Sequence, residues 1–136
     1  MNAKEYLEQV KSLRKMIDCR KHEQEYWQNM ACSISASDFE QHYNATRNTS
    51  ASYVRTIEKV AAIQQEIDER IIDLVNLCEL INREIDELPN YNEQLVLRYR
   101  YIDEREWKEI GEALHQSVRN IYRIHNNALK HFHVPT

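Results

Sequence analysis

Along residues 53–88 the apolar side chains recur in alternating steps of four and three. Tyr53, Ile57, Val60, Ile67, Ile71, Leu74, Cys78, Ile81, Ile85 and Leu88 hold the pattern, and Gln64 interrupts it. A strand would repeat with period two, so this spacing commits the segment to helix, and to a heptad seam. A helix of that length runs about 54 Å at 1.5 Å per residue. Each buried Ile or Leu contributes roughly 1.5–3 kcal/mol, and a long helix with its seam open to water is not stable alone. The seam therefore demands a partner. An upstream helix folded back antiparallel would supply one, a second copy of the chain would supply another, and both can apply.

Residues 3–30 supply the upstream helix. Tyr6, Val10, Leu13 and Ile17 follow a 4-3-4 spacing, with Leu7 and Met16 widening the stripe; it weakens at Arg20 and Gln24 and returns at Trp27. Residues 31–52 are rich in Ser, Thr and Asn and read as a polar linker, partly disordered. The whole chain holds one glycine and two prolines, too few for the tight turns of a multi-stranded sheet, so the fold class expected is all-α. No apolar run is long enough to span a bilayer, and the N-terminus lacks the apolar core of a secretion signal. Cys19, Cys32 and Cys78 are odd in number and far apart, which suits reduced thiols in a cytoplasm.

Leu88 and Pro89 end the long helix, because proline lacks an N–H and disfavours helix in the residue before it. A further helix is expected at 90–101, its Tyr91, Leu95, Val96 and Tyr99 packing beneath residues 107–130. After the connection 102–106, Ile110, Ala113 and Leu114 put an apolar stripe on a short helix. The stripe resumes at Ile121, Ile124 and Ala128 on a second helix, 117–130, with Ser117 in the N-cap position. Two short amphipathic helices joined by a tight break are the outline of a helix-turn-helix, whose second helix enters the major groove. The domain division expected is thus 1–88, helical with the linker, and 89–136, a helix-turn-helix with residues 131–136 hanging off its end.

Charge is distributed to match. Residues 1–88 hold 11 basic and 16 acidic side chains, residues 89–136 hold 7 and 6, and residues 113–136 hold three basic and none acidic. The chain is acidic overall, with a formal net charge of −4, yet locally basic where it would meet phosphate. On the second helix Arg119, Asn120, Arg123, Asn126, Asn127 and Lys130 share the face opposite the apolar stripe. Arginine grips guanine and asparagine grips adenine through paired hydrogen bonds worth roughly 1–3 kcal/mol of discrimination. Val118 stands where it would meet a thymine methyl. Base contact is assigned to Val118, Arg119, Asn120 and Arg123. Phosphate contact is assigned to Lys108, Ser117, Tyr122, Asn127 and Lys130.

Leu88–Pro89, Leu95-Val96-Leu97-Arg98-Tyr99, the stretch WKEIGEAL at 107–114 and Ser117 with Ala128-Leu129-Lys130 resemble region 4 of sigma-70-type factors. Closer still are small phage transcriptional regulators with such a C-terminus, the broad RinA/ArpU kind. There Leu97-Arg98-Tyr99 and Tyr122-Arg123-Ile124-His125 with Ala128-Leu129 have counterparts. The resemblance implies a promoter-reading domain, a phage or prophage setting and contact with RNA polymerase. It also places Arg119, Asn120 and Arg123 at base-reading positions. Two departures stand out: His115 occupies the turn position usual for glycine, and Glu106 the capping position usual for Ser or Thr.

Other chemistries find little support. His125, His131 and His133 are expected at the surface or facing phosphate, and neither a metal nor a cofactor is expected. No phosphate loop and no nucleophile–base–acid set can be assembled, so no catalysis is expected. Trp27 and Trp107 read as core anchors. The expectation is an all-α protein: an N-terminal coiled-coil-like helical hairpin followed by a three-helix, sigma-region-4-like helix-turn-helix domain. It would bind double-stranded DNA as a homodimer through the long helix, activating phage genes rather than acting as a complete sigma. The competing class is a coiled-coil adaptor that binds RNA polymerase or another regulator without reading DNA.

Overall fold

A computed structural model describes residues 1–40 and 46–136, and the side chains of 1–34 and 50–136. Regular structure among the described residues is entirely helical, without strands. Helix α1 spans Ala3–Glu40, α2 Thr46–Asp86, α3 Tyr91–Leu97, α4 Trp107–Leu114 and α5 Val118–His131, with a π-helical turn at Arg98–Ile102 between α3 and α4. Among the described residues, none of the helices is long and apolar enough to cross a membrane. The expected linker at 31–52 is helical at 31–40 and 46–52, while 41–45 lies outside the described residues. Ser, Thr and Asn are only weakly unfavourable in a helix, so a polar composition does not by itself stop one.

The chain forms two compact units, Met1–Arg14 with Asp73–Thr136, and Lys15–Ile72. In the second unit α1 and α2 run antiparallel. Arg20 Nε lies 3.2 Å from a Glu66 carboxylate oxygen, Gln24 Nε2 donates to Gln64 Oε1 at 2.7 Å, and Lys59 Nζ sits 5.2 Å from the Trp27 ring centroid. The weak points of the two seams, Gln24 and Gln64, face each other and satisfy each other. Ile17, Ala31, Thr56, Ile63 and Ile67 are buried. The seam expected on α2 is displaced here: Tyr53, Ile57 and Ile71 are exposed, and Thr56 and Ile63 are buried in their place. Both lines share Val60 and Ile67 and differ in which neighbouring residue joins them. The placement of α1 makes that choice.

In the first unit the ends of α1 and α2 enter the core of the C-terminal helices. Tyr6, Leu7 and Val10 of α1 and Ile81, Ile85 and Leu88 beside them form one cluster with Leu97, Tyr101, Ala128 and Phe132. A second cluster, Val96, Ile110, Ile121 and Ile124, lies between α3, α4 and α5, with Tyr99, Trp107 and Leu114 against it. The core around α5 therefore draws side chains from both sides of residue 88. Tyr91, expected beneath the helix-turn-helix, is 71% exposed, and Ala113 faces solvent. The segment 131–136 does not simply hang free: Phe132 is buried, its ring 6.2 Å from that of Tyr6, and Val134 packs against the same cluster.

The helix expected at 90–101 begins as an α-helix capped by Asn90, whose side chain accepts from the Asn92 N–H at 2.8 Å. From Arg98 it widens to a π-turn, where Asp103 N–H donates to Arg98 C=O across five residues at 3.0 Å. The Arg98 guanidinium reaches back to α2, pairing with Asp86 and donating from Nε to Asn82 Oδ1 at 3.3 Å. Tyr101 turns inward, while the Arg100 guanidinium carbon lies 4.4 Å from the Trp107 ring centroid. The wider turn thus sends adjacent side chains to the core and to the start of α4.

Candidate nucleic-acid interface

The turn between α4 and α5 is built from three residues of unlike kind. His115 ends α4 in the left-handed region, φ 55° and ψ 41°, the conformation for which glycine is usual. The chain's lone glycine serves another purpose. A Cβ on Gly111 would lie 2.9 Å from the Gln116 carbonyl oxygen, so the turn can close over α4 only where that carbon is missing. The Gln116 N–H donates to Gly111 C=O at 2.9 Å and locks the closure. Ser117 then caps α5, its Oγ accepting from Asn120 N–H at 3.1 Å. Glu106 leads into α4 without a side-chain capping bond.

This turn sets α5 with Ile121, Ile124, His125 and Ala128 inward. Ser117, Arg119, Asn120, Tyr122, Arg123 and Asn126 line one open depression on its outer side. Of the residues assigned to bases, Val118, Arg119 and Arg123 are exposed and Asn120 is half-buried. Of those assigned to phosphate, Lys108, Ser117, Tyr122 and Lys130 are exposed and Asn127 is half-buried at the edge of the face. Lys108 lies with Ser117 and Val118 around a neighbouring depression next to the turn. The exposed Tyr122 ring rests 4.9 Å from that of Trp107, which steadies the phenol. Asn126 is exposed in the depression itself. Its place on the outer face follows from the helical spacing.

Hydrogen bonds sort these side chains further. Arg123 Nε donates to Asn120 Oδ1 at 2.9 Å, and Asn120 Nδ2 donates to Gln116 Oε1 at 2.6 Å. Nothing in the sequence spacing of Gln116 announces this contact.

His125 corrects the expectation of surface histidines. It is buried, with Nε2 2.7 Å from Tyr101 Oη and the ring edge-on to Trp107 at 4.7 Å. Burial, then the charges of Lys4 and Arg100, pull its pKa down to about 4. The ring is therefore neutral near pH 7, with Nε2 and the Tyr101 hydroxyl sharing a hydrogen bond. Burial and the nearby Glu8 push that hydroxyl up to about 12. His131, at the end of α5, is half-exposed and pairs through Nδ1 with the buried Glu93 carboxylate at 2.9 Å.

Residues 85–132, which run from the end of α2 through α5, match the family described as Sigma-70, region 4. The helix-turn-helix is a sigma-70 region 4 domain. Such a domain is a DNA-binding regulatory unit. The region 4 match leaves residues 1–84 outside it, although Tyr6, Leu7 and Val10 complete the core on which the domain rests. No curated protein and no solved structure matches the chain.

Proposed function

We propose that this protein is a sequence-specific regulator of transcription that lays α5 in the major groove of double-stranded DNA. One observation carries the reading. The outward face of α5 presents Arg119, Arg123, Asn126 and Lys130, and α5 contains no acidic residue to repel phosphate. The cap at Ser117 and the region 4 match support the same docking geometry. Arg119, Arg123, Asn120 and Val118 are proposed to face bases; Lys108, Ser117, Tyr122, Asn127 and Lys130 to hold the backbone.

The proposal extends to activation of phage or prophage genes and to contact with RNA polymerase, both resting on the resemblance of the 88–130 motifs to small phage regulators. A homodimer through α2 belongs to it as well, supported by the exposed Tyr53, Val54, Ile57, Ile71 and Ile72 of the second unit. The test is selection from random duplex DNA at physiological salt, with the wild type compared against folded Arg123→Ala. An enriched motif that fades in the variant is the expected result. A folded protein that enriches nothing overturns the reading in favour of an adaptor.

A further inference from the structure

We infer that Gln116 and Asn120 are positioning residues that aim Arg123 at a guanine, and that Asn120 does not itself read an adenine. This rests on the proposed docking of α5 in the groove and specifies which side chain there does what.

The argument starts from the atoms already engaged. An asparagine grips adenine through its Oδ1 and Nδ2 together, accepting from N6 and donating to N7. In Asn120 both atoms have protein partners: Oδ1 accepts from Arg123 Nε and Nδ2 donates to Gln116 Oε1. The plane of the amide is thus set by the protein before any base arrives. The half-burial of Asn120, against the exposure of Arg123, points the same way.

For Arg123 the engagement has the opposite consequence. Its Nε is tied back, which leaves the two terminal nitrogens of the fork without a bonded partner among the described residues. Those two suffice for an end-on pair of bonds to guanine O6 and N7. A long arginine ordinarily loses rotamer freedom on binding; one already held at Nε loses less. Arg119, exposed and without a bonded partner among the described residues, has no such preparation. The anchor of the relay is the turn itself, since the Gln116 N–H is bonded to Gly111 C=O and the glycine's bare Cα allows that approach. The relay therefore runs from the turn to the reading head: Gly111, Gln116, Asn120, Arg123.

The experiment measures affinity for the selected duplex and for variants of it with each base pair replaced, using wild type, Arg123→Ala, Asn120→Ala, Gln116→Ala and the Asn120→Ala/Arg123→Ala double variant. Melting curves confirm that each is folded. Wild type is expected to lose roughly 5–150-fold when one guanine is replaced. That loss disappears in Arg123→Ala and shrinks in Asn120→Ala and Gln116→Ala. Asn120→Ala alone weakens binding by about 2–10-fold and adds nothing further in the Arg123→Ala background, because the two act as one unit. In the free protein, NMR relaxation of the Arg123 Nε–H is expected to show an ordered group that loosens in Asn120→Ala.

Three results overturn the assignment while the DNA reading stands. One is a guanine preference unchanged by Asn120→Ala, and another is a separate adenine preference lost with Asn120. The third is an Arg123 Nε–H as mobile in the wild-type free protein as that of Arg119. Failure of a folded wild type to select any duplex overturns both.

Discussion

Tyr101 Oη lies 2.7 Å from His125 Nε2 inside the helix-turn-helix, joining the π-turn after α3 to the inner face of α5. His125 also meets the Trp107 ring at the start of α4, so three elements of the helix-turn-helix domain come together at one neutral imidazole. A charged ring there would stand in a site disfavoured first by burial and then by the charges of Lys4 and Arg100.

The first prediction concerns acid. The folded state holds His125 neutral down to about pH 4, whereas an unfolded chain protonates it near pH 6.5. Between those values the unfolded state binds the extra proton, so stability falls as pH falls, by about 2 kcal/mol in total. Above about pH 7.5 neither state binds the proton and this histidine contributes no slope. Denaturant melts of wild type and His125→Gln, which keeps an acceptor for Tyr101, should diverge between pH 6.5 and 4, with the variant flatter.

His115 should be a site where substitution by glycine stabilises. A non-glycine residue in the left-handed region is strained by about 1 kcal/mol, and part of that is offset because glycine loses more freedom on folding. His115→Gly is expected to raise stability by about 0.5–1 kcal/mol, visible as a rise in Tm. His115→Ala should give no gain, and a gain as large as glycine's would show that strain is not the cause.

Gly111→Ala should behave in the opposite sense to helix propensity. Alanine favours a helix interior by about 1 kcal/mol, but its Cβ would meet the Gln116 carbonyl at 2.9 Å, against backbone that must move. A net loss of about 1–2 kcal/mol is expected, from overpacking at the turn. Binding should suffer beyond the stability change, because Gln116 moves with its carbonyl. Calorimetric melting separates the two effects.

On α2, Ile67→Ala should cost about 2–4 kcal/mol, since Ile67 is 2% exposed and truncation leaves a cavity. Ile71→Ala, at 38% exposed, should cost well under half of that within one chain. If a second copy covers that face, Ile71→Lys will leave a folded monomer in light scattering where wild type shows a dimer.

Much of the architecture was legible beforehand. The periodic segments became helices, Ser117 became a cap, and His115 took the left-handed turn position its place in the motif implied. Less legible were features that depend on a second element. The π-turn at Arg98–Ile102 has no period of its own to announce it, and the burial of Phe132 depends on Tyr6, far away along the chain. Within the candidate site the outward face of α5 was readable from spacing, whereas the bonds joining Gln116, Asn120 and Arg123 were not.

The division has a physical cause. A run of side chains determines its own helical period, its caps and the sign of charge on each face, because these depend on neighbours within a turn or two. Sequence alone therefore determined an all-α chain ending in a helix-turn-helix with an acid-free outer face. Periodicity locates a buried stripe only to within about a neighbouring residue, since a helix advances about 100° per residue and a contact face is at least that wide. Only the tertiary structure decided that Ile63 is buried and Ile71 exposed, and that His125 turns inward to Tyr101. It also brought the ends of α1 and α2 into the core of the DNA-binding unit. Each of those outcomes depends on where a second helix lies, and short-range forces along one helix carry no information about that.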